Sequence, residues 1–339
     1  MKFSYSPNIA NKLVFIDGLT RSGKSTLCQI IVSLKKLEHV DLATPLESIM
    51  SGIVLKKISP DYGKTFVRDY FNQSCYNRLI SRGVNFRPTD FSGIQNFRNP
   101  KIYYDRLKIF SSGKKKYHYK KTHIKISSKE DIILKSLKKK KFLFPYQSHL
   151  LLCDFEEFKK LGLNYLMLEI FRNPLDNVMS LINREQYKYN KKRDPRKFIY
   201  YIDYKNNSIP WNAFNYKNEY LKANYFERCA LFVIKQIEKI KKKQGKISLL
   251  LDKKILFIRY ENLIENTHKE IRRISTFLNT NQTTVTKKFI KNADCPRKID
   301  LNKNYFAKDF LRKKIKNKKI FRKLIQLEKS YKKNLYGFE

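Results

Sequence analysis

Apolar residues along this chain fall into two rhythms. Short continuous runs, bounded by glycine, proline or polar residues, occur at 12–17 (KLVFID, closed by Gly18), 142–146, Tyr165–Phe171 (YLMLEIF) and 254–260 (KILFIRY). Runs of this length without alternation predict strands buried on both faces. Between them the spacing is helical: Leu27, Ile30, Ile31 and Leu34 predict a helix over 25–37, and Ile271, Ile274, Phe277 and Leu278 line one face of another. Residues 212–243 predict one long or two shorter helices, and 306–335 a basic amphipathic helix or helix pair. Boundary signals support this order. Asp154 with Glu157 and Thr267 with Glu270 have capping-box spacing, the first opening a short helix to Lys160. Asn173 is placed as an N-cap, with Pro174 at the first helical position and Asp176 in the first turn of a helix reaching about Lys188. Strands alternating with helices predict an α/β fold: a three-layer sandwich whose central parallel sheet is flanked by helices. The expected organisation is one domain over 1–339. Within it, residues 51–140 read as an irregular, aromatic and basic substrate-facing insertion with helical patches around 66–80, and 300–339 as a basic helical extension.

Composition narrows the class. The 339 residues are 42% hydrophobic and 14% aromatic, enough for a sizeable core and incompatible with wholesale disorder. No apolar run approaches the length of a membrane span, and residues 1–11 lack the basic-then-apolar order of a secretory signal, so a cytoplasmic enzyme is expected. Cys28, Cys75, Cys153, Cys229 and Cys295 are widely spaced and form no Cys-x-x-Cys pair, which implies neither a disulfide framework nor a zinc site. Lys and Arg total 73 against 30 Asp and Glu, a formal net charge of +43. Such an excess suits a polyanionic partner. The joint abundance of Lys, Asn, Ile, Tyr and Phe, with only 10 glycines and 10 prolines, also fits an AT-rich coding sequence that inflates lysine without selection for binding. The basic clusters are dispersed along the chain, and no nucleic-acid-binding motif accompanies them.

Two segments carry the chemistry. Residues 18–25 read GLTRSGKS, a full G-x-x-x-x-G-K-[ST] phosphate loop between an apolar strand and an apolar-periodic helix. Its glycines let backbone N–H groups turn toward a phosphate, and the helix N-terminus adds a positive dipole. The second segment, 172–180 (RNPLDNVMS), puts Arg172 at the exit of a strand and Ser180 about two helical turns on, with Asn173 and Ser180 on nearly one face. A guanidinium fork and a hydroxyl so placed suit a second anion.

Together these residues resemble the sulfotransferases that use 3′-phosphoadenosine 5′-phosphosulfate. That family pairs a (K/R)-S-G-(T/K)-(T/S) loop with an R-(D/N)-P-x-D-x-x-x-S segment. Here these are Arg21-Ser22-Gly23-Lys24-Ser25-Thr26 and Arg172 to Ser180, in the family's spacing. A third piece, Arg259-Tyr-Glu-Asn-Leu-Ile264, is similar to the family's Y-E-(D/N)-L segment and nominates Tyr260 to lie against the adenine. The resemblance runs in order over about residues 12–279. It implies that Arg21, Ser22, Gly23, Lys24, Ser25 and Thr26 hold the 5′-phosphosulfate, that Arg172 and Ser180 hold the 3′-phosphate, and that no metal is required. Departures are Lys24, where many members carry threonine, and the absence of the C-terminal R-K-G-x-x-G-x-W-K segment, whose role would fall to the basic stretch around Arg312–Lys314.

Sulfuryl transfer is an in-line displacement akin to phosphoryl transfer, so cations must neutralise charge on the leaving phosphate; Arg21 and Lys24 suit that task. A base must take the acceptor's proton. His149 lies 23 residues before Arg172, close to where cytosolic members carry a catalytic histidine. Glu47 lies where Golgi-type members carry a glutamate. His123 copies a local family tripeptide but stands too far from Arg172. The resemblance implies an acceptor hydroxyl or amine, with carbohydrate and lipid among the acceptor classes. The alternative is a kinase with the same loop, in which Asp154 would hold magnesium, although Asp154 also reads as a helix cap. A basic nucleic-acid-binding protein is a third reading, which the dispersed charge disfavours.

Overall fold

The computed structural model describes residues 10, 12–87, 90–111, 142–188 and 199–338. Seven strands occur among them: β1 (Leu13–Gly18), β2 (Asp41–Leu42), β3 (Phe144–Gln147), β4 (Tyr165–Phe171), β5 (Tyr201–Tyr204), β6 (Asn207–Pro210) and β7 (Ile255–Arg259). Five build one sheet in the order β2-β3-β1-β4-β7, with every pair parallel. The remaining two, β5 and β6, form an antiparallel hairpin closed by Lys205 and Asn206, both at positive φ.

Both sheet faces are covered, which is why the strands read as unbroken apolar runs. Successive β1 side chains point to opposite faces. Leu13 and Phe15 join Phe144, Tyr146, Met167 and Phe257 in one cluster; Val14 and Ile16 join Leu168, Ile170, Leu256 and Ile258 in the other. The second layer is closed by Lys24–Ile31, through Leu27, Ile30 and Ile31, and by Thr267–Phe277, through Ile271 and Ile274. The first is larger. It holds Pro60–Leu79, Pro174–Asn183, Tyr225–Lys241 and the terminal helix Lys318–Asn334. The three-layer α/β sandwich expected from the periodicity is the fold observed.

Local departures have local causes. The helix expected over 25–37 stops at Ile31, where Ser33 Oγ donates to the Ile30 carbonyl (2.6 Å) and turns the chain toward Thr286. The helix after Asn173 stops at Asn183; Glu185 and Tyr187 take positive φ, and the reversal tucks Tyr187 into the core. Asn173 does cap that helix, its side chain accepting from Leu175 N. Neither expected capping box forms. The Asp154 side chain makes no cap contact and its Oδ1 instead accepts from Lys239 Nζ at 3.1 Å. Thr267 Oγ1 donates to the Leu263 carbonyl, while Glu270 binds Arg273. A capping box does form at Asn224 with Glu227. The helical patch expected around 66–80 is part of a longer, 20-residue helix, Pro60–Leu79, started by the Ser59 N-cap and Pro60. Its Val67, Phe71 and Cys75 are fully buried. His123 and residues 112–141 lie outside the described residues.

Phe15 is the centre of the larger cluster. Its ring meets Phe71, Phe158, Tyr165 and Tyr146 at centroid distances of 5.7, 5.6, 6.1 and 6.3 Å. Phe15→Ala is therefore expected to lower the unfolding free energy by about 3–5 kcal/mol in urea titration. Phe86→Ala, at a ring that is 64% exposed, is expected to stay within about 0.5 kcal/mol of the parent.

Candidate functional site

In a parallel sheet all strands end on one edge, and every candidate residue lies just beyond such an end. Lys24 follows β1, Glu47 follows β2, His149 follows β3, Arg172 follows β4 and Tyr260 follows β7. The order β2-β3-β1-β4-β7 sends connections away from β1 in both directions, so the loop 18–25 stands at the crevice where ligands bind in open α/β sheets.

Residues 18–25 form a tight turn. A Cβ at Gly18 would lie 2.5 Å from the Ile170 carbonyl oxygen, and one at Gly23 would lie 2.2 Å from the Tyr260 ring; both glycines have positive φ. Gly23 caps the helix Lys24–Ile31; of its leading amides Thr26 N donates to the Gly23 carbonyl at 3.1 Å, and those of Lys24 and Ser25 lie at the positive end of the helix dipole. The Lys24 side chain is buried and donates to the carbonyls of Gly18 (2.8 Å) and Leu19 (2.7 Å). Burial lowers its pKa, opposed by the nearby carboxylates of Asp17 and Glu169. Ser22 is buried, Thr26 half-buried and Ser25 exposed.

The second anchor meets the first. Arg21 Nε donates to Ser180 Oγ at 3.1 Å, Arg172 Nη1 to the Arg21 carbonyl at 3.3 Å, and Asn177 Nδ2 to the Thr20 carbonyl at 2.9 Å. The Arg172 guanidinium lies 4.7 Å over the Tyr260 ring. Tyr260 therefore packs between Gly23 and Arg172, with its hydroxyl 3.4 Å from Arg297 Nη2. Arg21 has its pKa lowered by burial and then by the like charges of Arg184 and Arg172. Three guanidiniums thus converge, an arrangement that a bound anion relieves. Ser22 Oγ and Arg172 Nε are buried without a hydrogen-bond partner. A cleft of about 590 Å³ opens here between Arg172, Asp176 and Ser180 on one side and Phe306, Phe310 and Lys313 on the other. Lys313 thus belongs to the wall of this cleft, within the basic stretch singled out in the sequence.

The two candidate bases are partners. His149 Nδ1 and Glu47 Oε1 are 3.0 Å apart. A carboxylate accepts from Nδ1–H, which leaves Nε2 as the free acceptor. Both line a second cleft of about 500 Å³ that also includes Thr20. Within the loop 18–25, Thr20 lines this second cleft, while Arg21 is bonded to Ser180, which lines the first. Asp154 lines this second cleft, in the ion pair with Lys239.

Some working residues escaped the sequence reading. Asp17 and Glu169 face each other across β1 and β4, both buried beneath Lys24. Burial raises both pKa values, and for Glu169 the Asp17 carboxylate adds to the rise. Asp17 also accepts from Ser148 Oγ (3.0 Å) and Leu152 N (3.1 Å), so it fixes the turn that carries His149. Glu261 accepts from Asn173 N (2.9 Å) and from the Tyr331 hydroxyl, tying the terminal helix to the 172–180 segment. The available signal was an acidic residue inside or ending an apolar run, as in KLVFID and YLMLEIF.

A family model described as "Sulfotransferase domain" matches residues 12–334. Two solved structures are similar along most of their length. The sulfotransferase domain from the Synechococcus PCC 7002 olefin synthase is 12% identical, with 95% of each chain covered and a TM-score of 0.43. The sulfotransferase domain from the curacin biosynthetic pathway is 13% identical, covering 84% of this chain and 77% of its own, with a TM-score of 0.41. No curated protein matches the chain.

The raised carboxyl at Glu169 has a pH signature. A folded-state pKa above the unfolded value means the folded protein keeps a proton that the unfolded chain releases, so stability falls as pH rises beyond the ordinary value of 4.5. Glu169→Gln is expected to remove that contribution. The urea midpoint of the parent should drop relative to the variant between pH 4 and pH 8; parallel midpoints across that range would show that the proton is not held.

Proposed function

The chain belongs to the sulfotransferase family and is a transferase, and from that premise we propose that it moves a sulfuryl group from 3′-phosphoadenosine 5′-phosphosulfate to a hydroxyl or amine by in-line displacement. The observation that carries this reading is the junction of the loop 18–25 with Arg172 and Ser180, two anion sites joined through Arg21. A donor phosphorylated at both ends of one nucleoside suits that pair.

When bound, the donor supplies an activated sulfuryl group. On this assignment Lys24 and Arg21 neutralise the charge that grows on the departing phosphate, with Ser22, Ser25, Thr26 and the amides after Gly23 donating to its oxygens. Lys24 would exchange its carbonyl partners, Gly18 and Leu19, for those oxygens. Arg172 and Ser180 hold the 3′-phosphate, with Lys313 on the opposite wall, and Tyr260 supports Arg172 from below. His149 Nε2 takes the proton from the acceptor as the new S–O bond forms. Glu47 keeps the proton on Nδ1 and stabilises the imidazolium that results. The two bases weighed from the sequence become one unit.

Calorimetry with adenosine 3′,5′-bisphosphate tests the donor site. Arg172→Ala is expected to weaken the bisphosphate by about 10–100-fold, the worth of a charge-assisted pair, and adenosine 5′-phosphate by less than about threefold. Equal losses for both nucleotides would remove the residue from the 3′ group. Transfer assays test the base. His149→Ala should slow transfer by about 10²–10⁴-fold with bisphosphate affinity intact. Adding Glu47→Gln to it should cost little more, because the pair acts together. Additive losses would mean that the two carboxylate and imidazole functions are independent.

A further inference from the structure

The cleft beside His149 differs in composition from the rest of the protein. More than a fifth of the chain is Lys or Arg, yet among the described residues none lines this cleft. Its charged lining residues are Glu47 and Asp154, each already engaged, with His149 at 3.0 Å and Lys239 at 3.1 Å. The rest of the wall is dominated by apolar and aromatic side chains, among them Leu42, Met50, Tyr187, Tyr200 and Trp211. The Tyr200 hydroxyl is bonded to Ser48 on the helix that carries Glu47, which holds that ring at the wall.

From this we propose that the acceptor is an uncharged, largely apolar alcohol or phenol, and not an anionic saccharide; the inference rests on the assignment of this cleft to the acceptor. Among the described residues the lining offers an anionic acceptor no free cation, since Lys239 is taken by Asp154, whereas apolar and aromatic walls reward burial of a neutral body around one reacting hydroxyl.

The only tryptophan in the chain, Trp211, lines the cleft. Its emission therefore reads acceptor occupancy without any transfer step. The experiment titrates the full chain, saturated with adenosine 3′,5′-bisphosphate, with 4-bromophenol, 1-octanol, tyramine and a sulfated chondroitin disaccharide. The neutral probes are expected to change the emission saturably at concentrations at least tenfold below the charged ones. Tighter binding by the disaccharide or by tyramine would overturn the proposal. Leu42→Lys alters a lining side chain that is 43% exposed, so a folded variant is expected. It should reverse the preference, improving the disaccharide at least tenfold; an unchanged order of probes would also overturn the proposal. Bisphosphate binding is measured separately by calorimetry. Its loss with a normal emission response would sink the donor assignment and leave the acceptor class standing.

Discussion

Gly18 and Ile170 lie opposite one another in adjacent parallel strands, with no room for a side chain between them. That close pairing is the constraint on which the site depends. It brings the chain leaving β1 and the chain leaving β4 off the sheet side by side, so the loop 18–25 and the helix start at 172–180 meet within hydrogen-bond reach. Three bonds then cross the junction, from Arg21 to Ser180, from Arg172 to the Arg21 carbonyl and from Asn177 to the Thr20 carbonyl. Gly23 repeats the device on the other side, where the absence of a Cβ lets the Tyr260 ring lie flat against the loop. Neither anion anchor is an independent pocket; each is built partly from the other.

Beneath this junction the electrostatics are prepared before any ligand arrives. Burying an ammonium is costly unless it is paired, and Lys24 is set over Asp17 and Glu169 with two carbonyls accepting its protons. Burial and then the neighbouring Asp17 carboxylate raise the Glu169 pKa, a shift that opposes an excess of negative charge beneath Lys24. Asp17 has a second task, through Ser148 and the Leu152 amide. The same carboxylate that faces the loop lysine thus orients the turn bearing His149. On the proposed assignment this would hold the loop cation and the base at a fixed distance, as an in-line displacement requires.

How far the sequence reaches can be judged residue by residue. The core strands were legible because burial on both faces leaves an unbroken apolar signature, and the loop was legible because its glycines and Lys24 follow such a run. Arg172 and Ser180 were recognisable through their spacing and the Asn-Pro helix start between them. The contact of Glu47 with His149 was not, because 102 residues separate them and only the parallel order β2-β3-β1 brings their strand ends together. The two-residue strand β2 carries too few residues for a periodic signal, yet it sets Glu47 in place. The capping boxes at Asp154 and Thr267 failed for a related reason. Lys239, distant in the sequence, binds Asp154 more favourably than the helix amides do, and Thr267 finds a carbonyl one turn back. Local chemistry proposed a partner, and tertiary packing supplied another.

The loop also lies between two differently lined regions. On its Arg21 side stand Arg172 and Arg184, with Asp176, Asp309 and Lys313 in the adjoining cleft; on its Thr20 side stand Glu47, His149 and the Asp154 pair. On the proposed assignment the departing phosphate would stay with Lys24 and Arg21 while His149 receives the acceptor's proton, and the strand order sets these groups on either side of one turn. Arg21, Lys24 and Arg172 follow β1 and β4, with Asp176 just beyond Arg172, while Glu47 and His149 follow β2 and β3. A net charge of +43 could not by itself produce such a contrast, since uniform charge has no direction. The contrast lies in the lining: Arg172 and Lys313 accompany Asp176 and Asp309 in the first cleft, whereas among the described residues Glu47 and Asp154 are the charged lining of the second.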